Sequence, residues 1–487
     1  MSIIYKLKIH TIAILACIFF ITGCMVGPDF KEPVIEDLPQ EFRFGDTQPD
    51  EIVNLEWWEL FNDPVLDYLV ETALYENKDL LIAVSRMEEA RAFLGFTIPD
   101  GLPRLDLEGG INRGNFGGGV LADDPNNIAF ITPIISWEID FWGKFRRANE
   151  SARAQLLASE YGLRTVQIGL ISDVVSTYFM LLDFKERLKI SEQTLESRDE
   201  SLLIMQRRFE EGVIPEIDLN QAQVQREIAA AAVPANERFI YQTENALSIL
   251  LGRFPDSIKT GLDLYDQVIP PDVPTGLPST LLERRPDILE SLYLLKSQNA
   301  LIGVAVAQRF PAISLTGALG AAINDTGALT IDGFAWSAGA GLLGPIFNFG
   351  KDKSRVEIEE ARTDQALLSY ENVVLNAFRE VSDSLMEIQT YRVQVAALKR
   401  QAKAAENANR LSKLRYDQGF SSYLEVLDSE RAQFDAELAL SQATQEYYNS
   451  YVRLYKALGG GWISSEEMTE SENKESEYNQ DSQYNTK

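Results

Sequence analysis

The sequence predicts a mixed α/β membrane protein in which one unit, two strands followed by a long helical hairpin, occurs twice in the chain. Three observations carry this reading. Residues recur at a fixed offset of 207–208 positions, short stretches alternate apolar and polar side chains with a period of two, and the stretches after them keep a heptad spacing.

The offset is the strongest of the three. At 208, Asp79 meets Asp287, Gly95 meets Gly303, Pro103 meets Pro311, Leu107 meets Leu315 and Gly109 meets Gly317. At 207, Ile139 meets Ile346, Gly143 meets Gly350, Arg208 meets Arg415, Gly212 meets Gly419, Tyr241 meets Tyr448, and Leu251-Gly252 meets Leu458-Gly459. This period is far longer than a solenoid repeat, so it marks a duplicated domain. The organisation expected is a signal peptide (1–23), an anchor and linker (24–65), a first copy (66–252), an inter-copy linker (253–286), a second copy (287–462) and an acidic disordered tail (463–487).

Each copy reads in the same order. A helical stretch (66–96, then 288–308) leads through Pro103 or Pro311 into a strand. In the first copy Leu105, Leu107, Gly109 and Ile111 share one face while Arg104, Asp106 and Glu108 share the other, which predicts a strand with one apolar and one wet side. A Gly/Asn/Asp-rich turn is expected at 112–127 and again at 324–333. A second strand follows, with Ile131, Ile135, Trp137 and Ile139 on its apolar face; in the second copy the Gly/Ala-rich 339–343 gives a weaker pattern. After Gly143 and Gly350 the period becomes helical for about 65 residues, on the order of 90–100 Å. Val174, Leu181, Leu188, Leu195, Leu202 and Phe209 form a heptad seam, and Val381, Ile388, Val395, Ala402, Asn409 and Tyr416 lie 207 residues on, so coiled-coil packing is expected. Gly212 and Gly419 end these helices as left-handed caps, and 218–250 and 424–458 return as second helices.

Composition narrows the chemistry. The formal charge is −28 and the apolar content 45%, so the chain folds but is a poor ligand for nucleic acid. The one histidine, His10, and both cysteines, Cys17 and Cys24, lie in the first two dozen positions. Lys6 and Lys8 precede an apolar run at 11–21 that is too short to span a bilayer, and Ile21-Thr22-Gly23-Cys24 resembles a bacterial lipobox. Cleavage before Cys24 would leave a mature chain without histidine and with its cysteine acylated. Met25 stands where aspartate would signal inner-membrane retention, which favours the outer membrane of a Gram-negative cell. Histidine- or cysteine-based catalysis and zinc sites are thereby excluded, and no cofactor, metal site or catalytic group is expected.

Two strands per copy give four per chain, and each is expected to have the 9–11 residues that cross a bilayer. Four strands cannot close a barrel, and open edges in lipid leave backbone groups unpaired, so several chains must share one: two would supply eight strands and three twelve.

Several motifs then identify the chain as a member of a known family. Cys24-Met25-Val26-Gly27-Pro28-Asp29-Phe30, Trp57-Trp58, Asp63-Pro64, Asn77-Lys78-Asp79-Leu80, Leu281-Leu282-Glu283-Arg284-Arg285-Pro286-Asp287-Ile288, Gly344-Pro345-Ile346-Phe347-Asn348 and Arg415-Tyr416-Asp417-Gln418-Gly419 resemble the TolC-like outer membrane factors, in the lipoprotein branch serving resistance-nodulation-division efflux pumps. The resemblance covers roughly 24–462. It implies a homotrimer with a twelve-stranded barrel, an α-helical periplasmic tunnel, and contact with a periplasmic adaptor and an inner-membrane pump. It also implies an acidic constriction after the glycine of the second hairpin, which falls on Glu425 and Asp428; Asp218 is the first-copy counterpart of Glu425. Read from the residues alone, the same carboxylates could equally complement a helix dipole. The tip turns at Gly212 and Gly419 are the implied adaptor-docking surface. Arg207-Arg208 and Arg284-Arg285, beside many acids, are expected to form surface ion pairs. Two other classes stay open at this point: a surface lipoprotein hydrolase using paired carboxylates, and a coiled-coil lipoprotein without a pore. The transported substrate is not written in the sequence.

Overall fold

A computed structural model describes residues 24–35, 38–39, 42, 56–117, 120–271, 280–324 and 335–460. The signal peptide and the acidic tail lie outside these residues. The elements are α1 (Pro64–Glu76), α2 (Lys78–Thr97), β1 (Arg104–Gly117), β2 (Val120–Ile139), α3 (Lys144–Glu210), α4 (Glu216–Leu250), α5 (Thr280–Arg284), α6 (Pro286–Ala307), β3 (Ala312–Asn324), β4 (Ala335–Leu343), α7 (Lys351–Asp417) and α8 (Tyr423–Ala457). The duplication holds to the residue in the long hairpins: α3 and α7 each have 67 residues, α4 and α8 each have 35, and every boundary lies 207 positions after its counterpart.

In space the chain divides differently from its repeat. Among the described residues, one unit gathers 24–35, 85–160 and 290–372; the other gathers 56–84, 161–289 and 373–460, so each holds material from both copies.

The first unit contains one antiparallel sheet in the order β1-β2-β3-β4. The β1–β2 register sets Leu105 opposite Ile135, and the β3–β4 register sets Ile313 opposite Leu342, which is the same pairing moved by the two offsets. β2 pairs with β3 across the copies, with Ile135 opposite Gly317 and Trp137 opposite Leu315. Opposed residues share a face, so Leu105, Leu107, Ile131, Ile135, Leu315, Leu319, Trp336 and Leu342 form one exposed apolar surface. Arg104, Asp106, Glu108, Glu138, Ser314 and Thr316 fall on the other side. The alternation expected in β1 and β2 is thus present, and β4 joins it despite its weak pattern.

Three expectations need correction. The stretch 112–127 is not a turn, because β1 continues to Gly117 and β2 starts at Val120, with Asn112 paired to Ile128 and Gly114 to Asn126. A ladder is built from backbone groups, so polar side chains do not end it; β1 and β2 reach 14 and 20 residues instead of 9–11. The first helical stretch is broken at Asn77, whose extended backbone separates α1 from α2. Its side chain caps α2 by accepting from Leu80 N at 2.9 Å and donates to Leu250 O at 2.8 Å. Arg285 is no surface residue: it is 6% exposed, forks onto Asp287 at 2.9 and 2.6 Å, meets Glu380 at 2.8 Å and donates to Ala457 O at the end of α8. Burial opposes its charge, but the two carboxylates outweigh that and raise its pKa.

The second unit holds the main core. Leu170, Ile171, Val174, Tyr178, Phe179 and Leu181 of α3 pack with Val381 and Leu385 of α7 and with Tyr448, Tyr451 and Tyr455 of α8. Of the seam positions Val174, Leu181, Val381, Ile388 and Ala402 are buried, the rest are half-buried, and Phe209 near the tip is exposed. A 3-10 turn, Trp57–Phe61, supplies Trp57, which stacks on Tyr455 at 5.2 Å, and Phe61, which meets Phe179 edge-on at 4.8 Å.

Candidate functional site at the hairpin tips

The tips are set by how α3 and α7 end. Gly212 takes φ +71°, and Val213 N reaches Arg208 O at 2.8 Å while Gly212 N reaches Phe209 O at 2.9 Å. Gly419 at φ +77° repeats this with Phe420 N to Arg415 O at 2.8 Å and Gly419 N to Tyr416 O at 2.9 Å. These paired bonds satisfy the last carbonyls and turn the chain sharply, a geometry that favours glycine because a side chain there would be strained.

Under the turns lies a small apolar cluster of Met205, Ala222, Tyr423, Val426 and Leu427. Burial pushes the Tyr423 hydroxyl upward in pKa, with Glu430 and Tyr416 adding to the effect. The two copies are tied here by Arg208, which meets Asp417 at 3.2 Å and lies 5.1 Å from the Tyr416 ring centre; Tyr416 in turn contacts Tyr423 at 5.3 Å. Arg208 therefore makes a partly exposed ion pair, as expected, and joins the copies as well.

The implied constriction residues fall as follows. Glu425 and Asp428 are both exposed and one turn apart on α8. Glu425 accepts from Arg415 Nε at 3.0 Å, so its charge is paired within the chain. Asp428 has no hydrogen bond or ion pair among the described residues. Asp218 is half-buried in the first turn of α4 and faces Tyr423. The three carboxylates thus differ: one paired, one open to solvent, one partly sheltered.

Farther from the turns the helices meet through polar side chains that sequence reasoning missed. Arg198 is buried on α3 and donates to Gln225 O at 2.6 Å; burial lowers its pKa while Glu430 and Asp435 oppose that. Lys413 pairs with buried Glu430 at 2.9 Å, and Asn409, a seam position, donates to Gln433 at 2.7 Å. Arg198, Glu430, Asn409 and Gln433 line a cavity of about 120 Å³ with Thr194 and Phe434. The one sequence signal was Asn409 itself, the polar exception in an apolar seam.

The first described residue is Cys24, which is exposed. The next residues are fixed by Arg147, only 1% exposed, which holds Asp29 at 2.7 Å and Glu150 at 2.7 Å and donates to Val26 O and Gly27 O. Gly27 adopts φ +92°, and a Cβ there would sit 2.4 Å from Gly303 Cα. The repeat already pairs Gly303 with Gly95; the structure gives it the added task of admitting Gly27 and Arg147. Among the described residues no His, Cys, Asp and Glu side chains gather into a metal-binding group.

A sequence profile of the family described as outer membrane efflux protein matches residues 69–253 and 277–460. The toluene efflux pump outer membrane protein TtgC of Pseudomonas putida is 33% identical over 456 residues, covering 91% of this chain and 94% of that one. The probable outer membrane lipoprotein SilC of Salmonella typhimurium is 31% identical over 471 residues, covering 94% and 100%. Among solved structures, the Campylobacter jejuni CmeC outer membrane channel superposes with a TM-score of 0.83 at 29% identity, covering 93% of this chain and 98% of that one. The motifs, the duplicated hairpins, the four-stranded sheet and these matches agree: the chain belongs to the outer membrane efflux protein family.

Proposed function

We propose that three copies of this chain form the outer-membrane duct of a tripartite efflux pump, a passive channel that carries small toxic molecules to the cell exterior. The observation that carries this is the sheet. One of its faces is apolar and in large part exposed, the other carries Arg104, Asp106, Glu108, Glu138, Ser314 and Thr316, and β1 and β4 are its unpaired edges. An open edge is not tolerated in lipid, so the sheet closes with copies of itself; three copies give twelve strands, the number the family resemblance implies. The helices of the three chains line a periplasmic tunnel, the tip turns at Gly212 and Gly419 receive the adaptor, and the inner-membrane pump supplies the energy. Cys24, freed by signal cleavage and acylated, anchors the chain in the outer membrane; its exposure supports this. The matched relatives are transport components, and neither the hydrolase nor the pore-less reading gains support from them.

Glu425, Asp428 and Asp218 form the periplasmic gate. Rings of carboxylate at a narrow mouth attract cations and resist anions. The purified protein reconstituted in planar bilayers should show small, cation-selective channels, and Glu425→Ala with Asp428→Ala should raise conductance and reduce selectivity. Unchanged conductance and selectivity would remove the gate assignment; absence of channels would remove the duct.

A further inference from the structure

Within the first unit, four helices surround a recess of about 400 Å³. Phe93 of α2, Ala148 of α3, Leu294 and Leu301 of α6 and Ala366 of α7 make its apolar wall. Both copies contribute in the same way, since Leu301 stands 208 positions after Phe93 and Arg362 stands 207 after Gln155. Phe93 and Leu294 are 48% and 46% exposed, so this wall is open to a solute. The polar groups around it are mostly engaged. Arg362 and Gln298 both hold Glu359, at 2.7 and 2.6 Å, and the Ser151 and Ser297 hydroxyls hold each other at 2.9 Å. The side-chain amide of Gln155, which also lines the recess, has no hydrogen-bond partner among the described residues.

The recess and the segment after Cys24 lie on opposite sides of the contact between α3 and α6. Ser151 and Ser297 face each other across that contact, and both are buried. At about 100° per residue, Arg147 and Glu150 are turned about 40° and 100° from Ser151 one way, whereas Ala148 and Gln155 are turned about 60° and 40° the other way. On α6, Gly303 lies about 120° from Ser297 on one side, and Leu294 and Leu301 about 60° and 40° on the other. Arg147 and Gly303 are the residues that meet Val26 and Gly27. An acylated Cys24 reaches lipid from the outside of a duct, so the recess opens toward the tunnel.

We propose that the recess is a binding site for neutral aromatic solutes of one or two rings in transit, one in each chain; this rests on the duct reading. Its volume falls in the range of roughly 300–1,000 Å³ found for small-molecule sites. Phe93 offers a ring for edge-on or offset stacking, the two leucines and two alanines offer apolar contact, and the Gln155 amide bonds a single hydroxyl or amine on the solute. A charged solute gains little, because Arg362 and Glu359 neutralise each other. The solute is held loosely, since passage requires release.

Thr97 also lines the recess and serves as the reporter. The full-length acylated protein carrying Thr97→Cys as its one free thiol is reconstituted and labelled with a sulfonated methanethiosulfonate. Millimolar 1-naphthol should slow this labelling at least threefold, and should leave labelling of Glu108→Cys, on the wet face of β1, unchanged. Leu294→Trp or Ala366→Trp, each added to Thr97→Cys to fill the recess, should abolish the protection. No protection, equal protection at Glu108→Cys, or protection that survives both fillings overturns the site. Gln155→Ala should weaken the protection several-fold, and an unchanged value overturns the part given to its amide. In planar bilayers, labelling at Thr97→Cys should change single-channel conductance. Channels whose conductance does not change overturn the placement on the tunnel wall while the duct stands; absence of channels overturns the duct and that placement, and protection by 1-naphthol still decides whether the recess binds.

Discussion

The hydroxyl of Tyr178 donates a 2.6 Å hydrogen bond to Asp63, a carboxylate that is 0% exposed. Asp63 also accepts from Gln267 Nε2 at 2.8 Å and from Leu262 N at 3.2 Å, and caps α1 through Val65 N at 3.0 Å. One side chain thus binds α1, α3 and the linker between the copies. Burial alone would raise its pKa, but the hydrogen bonds from Tyr178, Gln267 and the two amides outweigh that and lower it.

Asp63→Ala strands several buried donors and should cost roughly 3 kcal/mol, read as a lower melting temperature in detergent. A folded pKa below the unfolded value means that this stabilisation is present above the unfolded carboxylate pKa, near about 3.9, and is lost as pH falls through the folded value. The parent protein should therefore lose stability below about pH 4, and Asp63→Asn should show a shallower acid limb.

Arg285 should resist conservative replacement. Arg285→Leu leaves Asp287 and Glu380 without their buried partner and should destabilise by about 3–5 kcal/mol. Arg285→Lys keeps the charge but not the fork and should recover only part of this, as measured by thermal melts of the two variants side by side.

At the tips, the Arg208–Asp417 pair is partly exposed, so its coupling should be small. A double-mutant cycle of Arg208→Ala and Asp417→Ala should give under about 1 kcal/mol, falling further in high salt.

Gly27→Ala places a Cβ against Gly303 and forces a side chain into φ +92°. The segment around Asp29 should detach, seen as faster proteolysis near the N-terminus with no loss of helix content by circular dichroism. Gly303→Ala, whose Cβ would meet Arg147 Cγ at 2.7 Å, should give the same digestion pattern.

A cysteine at Leu107 should react with a lipid-phase reagent and one at Glu108 with an aqueous reagent. The two positions are adjacent on β1 and lie on opposite faces, so reversed labelling would refute the assignment of lipid and water sides.

Much of the fold was legible because duplication repeats each weak signal. The offset located both hairpins, and the heptads named side chains such as Val174 and Val381 that prove to be buried. The alternation in β1 fixed which face of the sheet is apolar. What stayed hidden depends on partners far apart in sequence. Asp63 finds Gln267 across 204 residues, and Arg147 finds Asp29 across 118, so nothing local marks either as a buried charge. Arg285 read as a surface residue because neighbouring acids look alike whether they solvate an arginine or bury it. The strand ends were missed because Gly and Asn favour turns, yet a hairpin already aligned can continue through them. At the tip, Glu425 was found by position, whereas its pairing with Arg415 needed the three-dimensional turn.

The equal lengths of α3 and α7, and of α4 and α8, put a constraint on how this chain can change. Removing one residue from α7 alone would rotate everything beyond it by about 100° and draw its tip back by about 1.5 Å, taking Tyr416 and Asp417 away from Arg208. Length changes in these helices are therefore tolerable only as matched pairs, one in each copy at corresponding positions. Two halves that have diverged in most side chains remain bound, as a pair, to a single ruler.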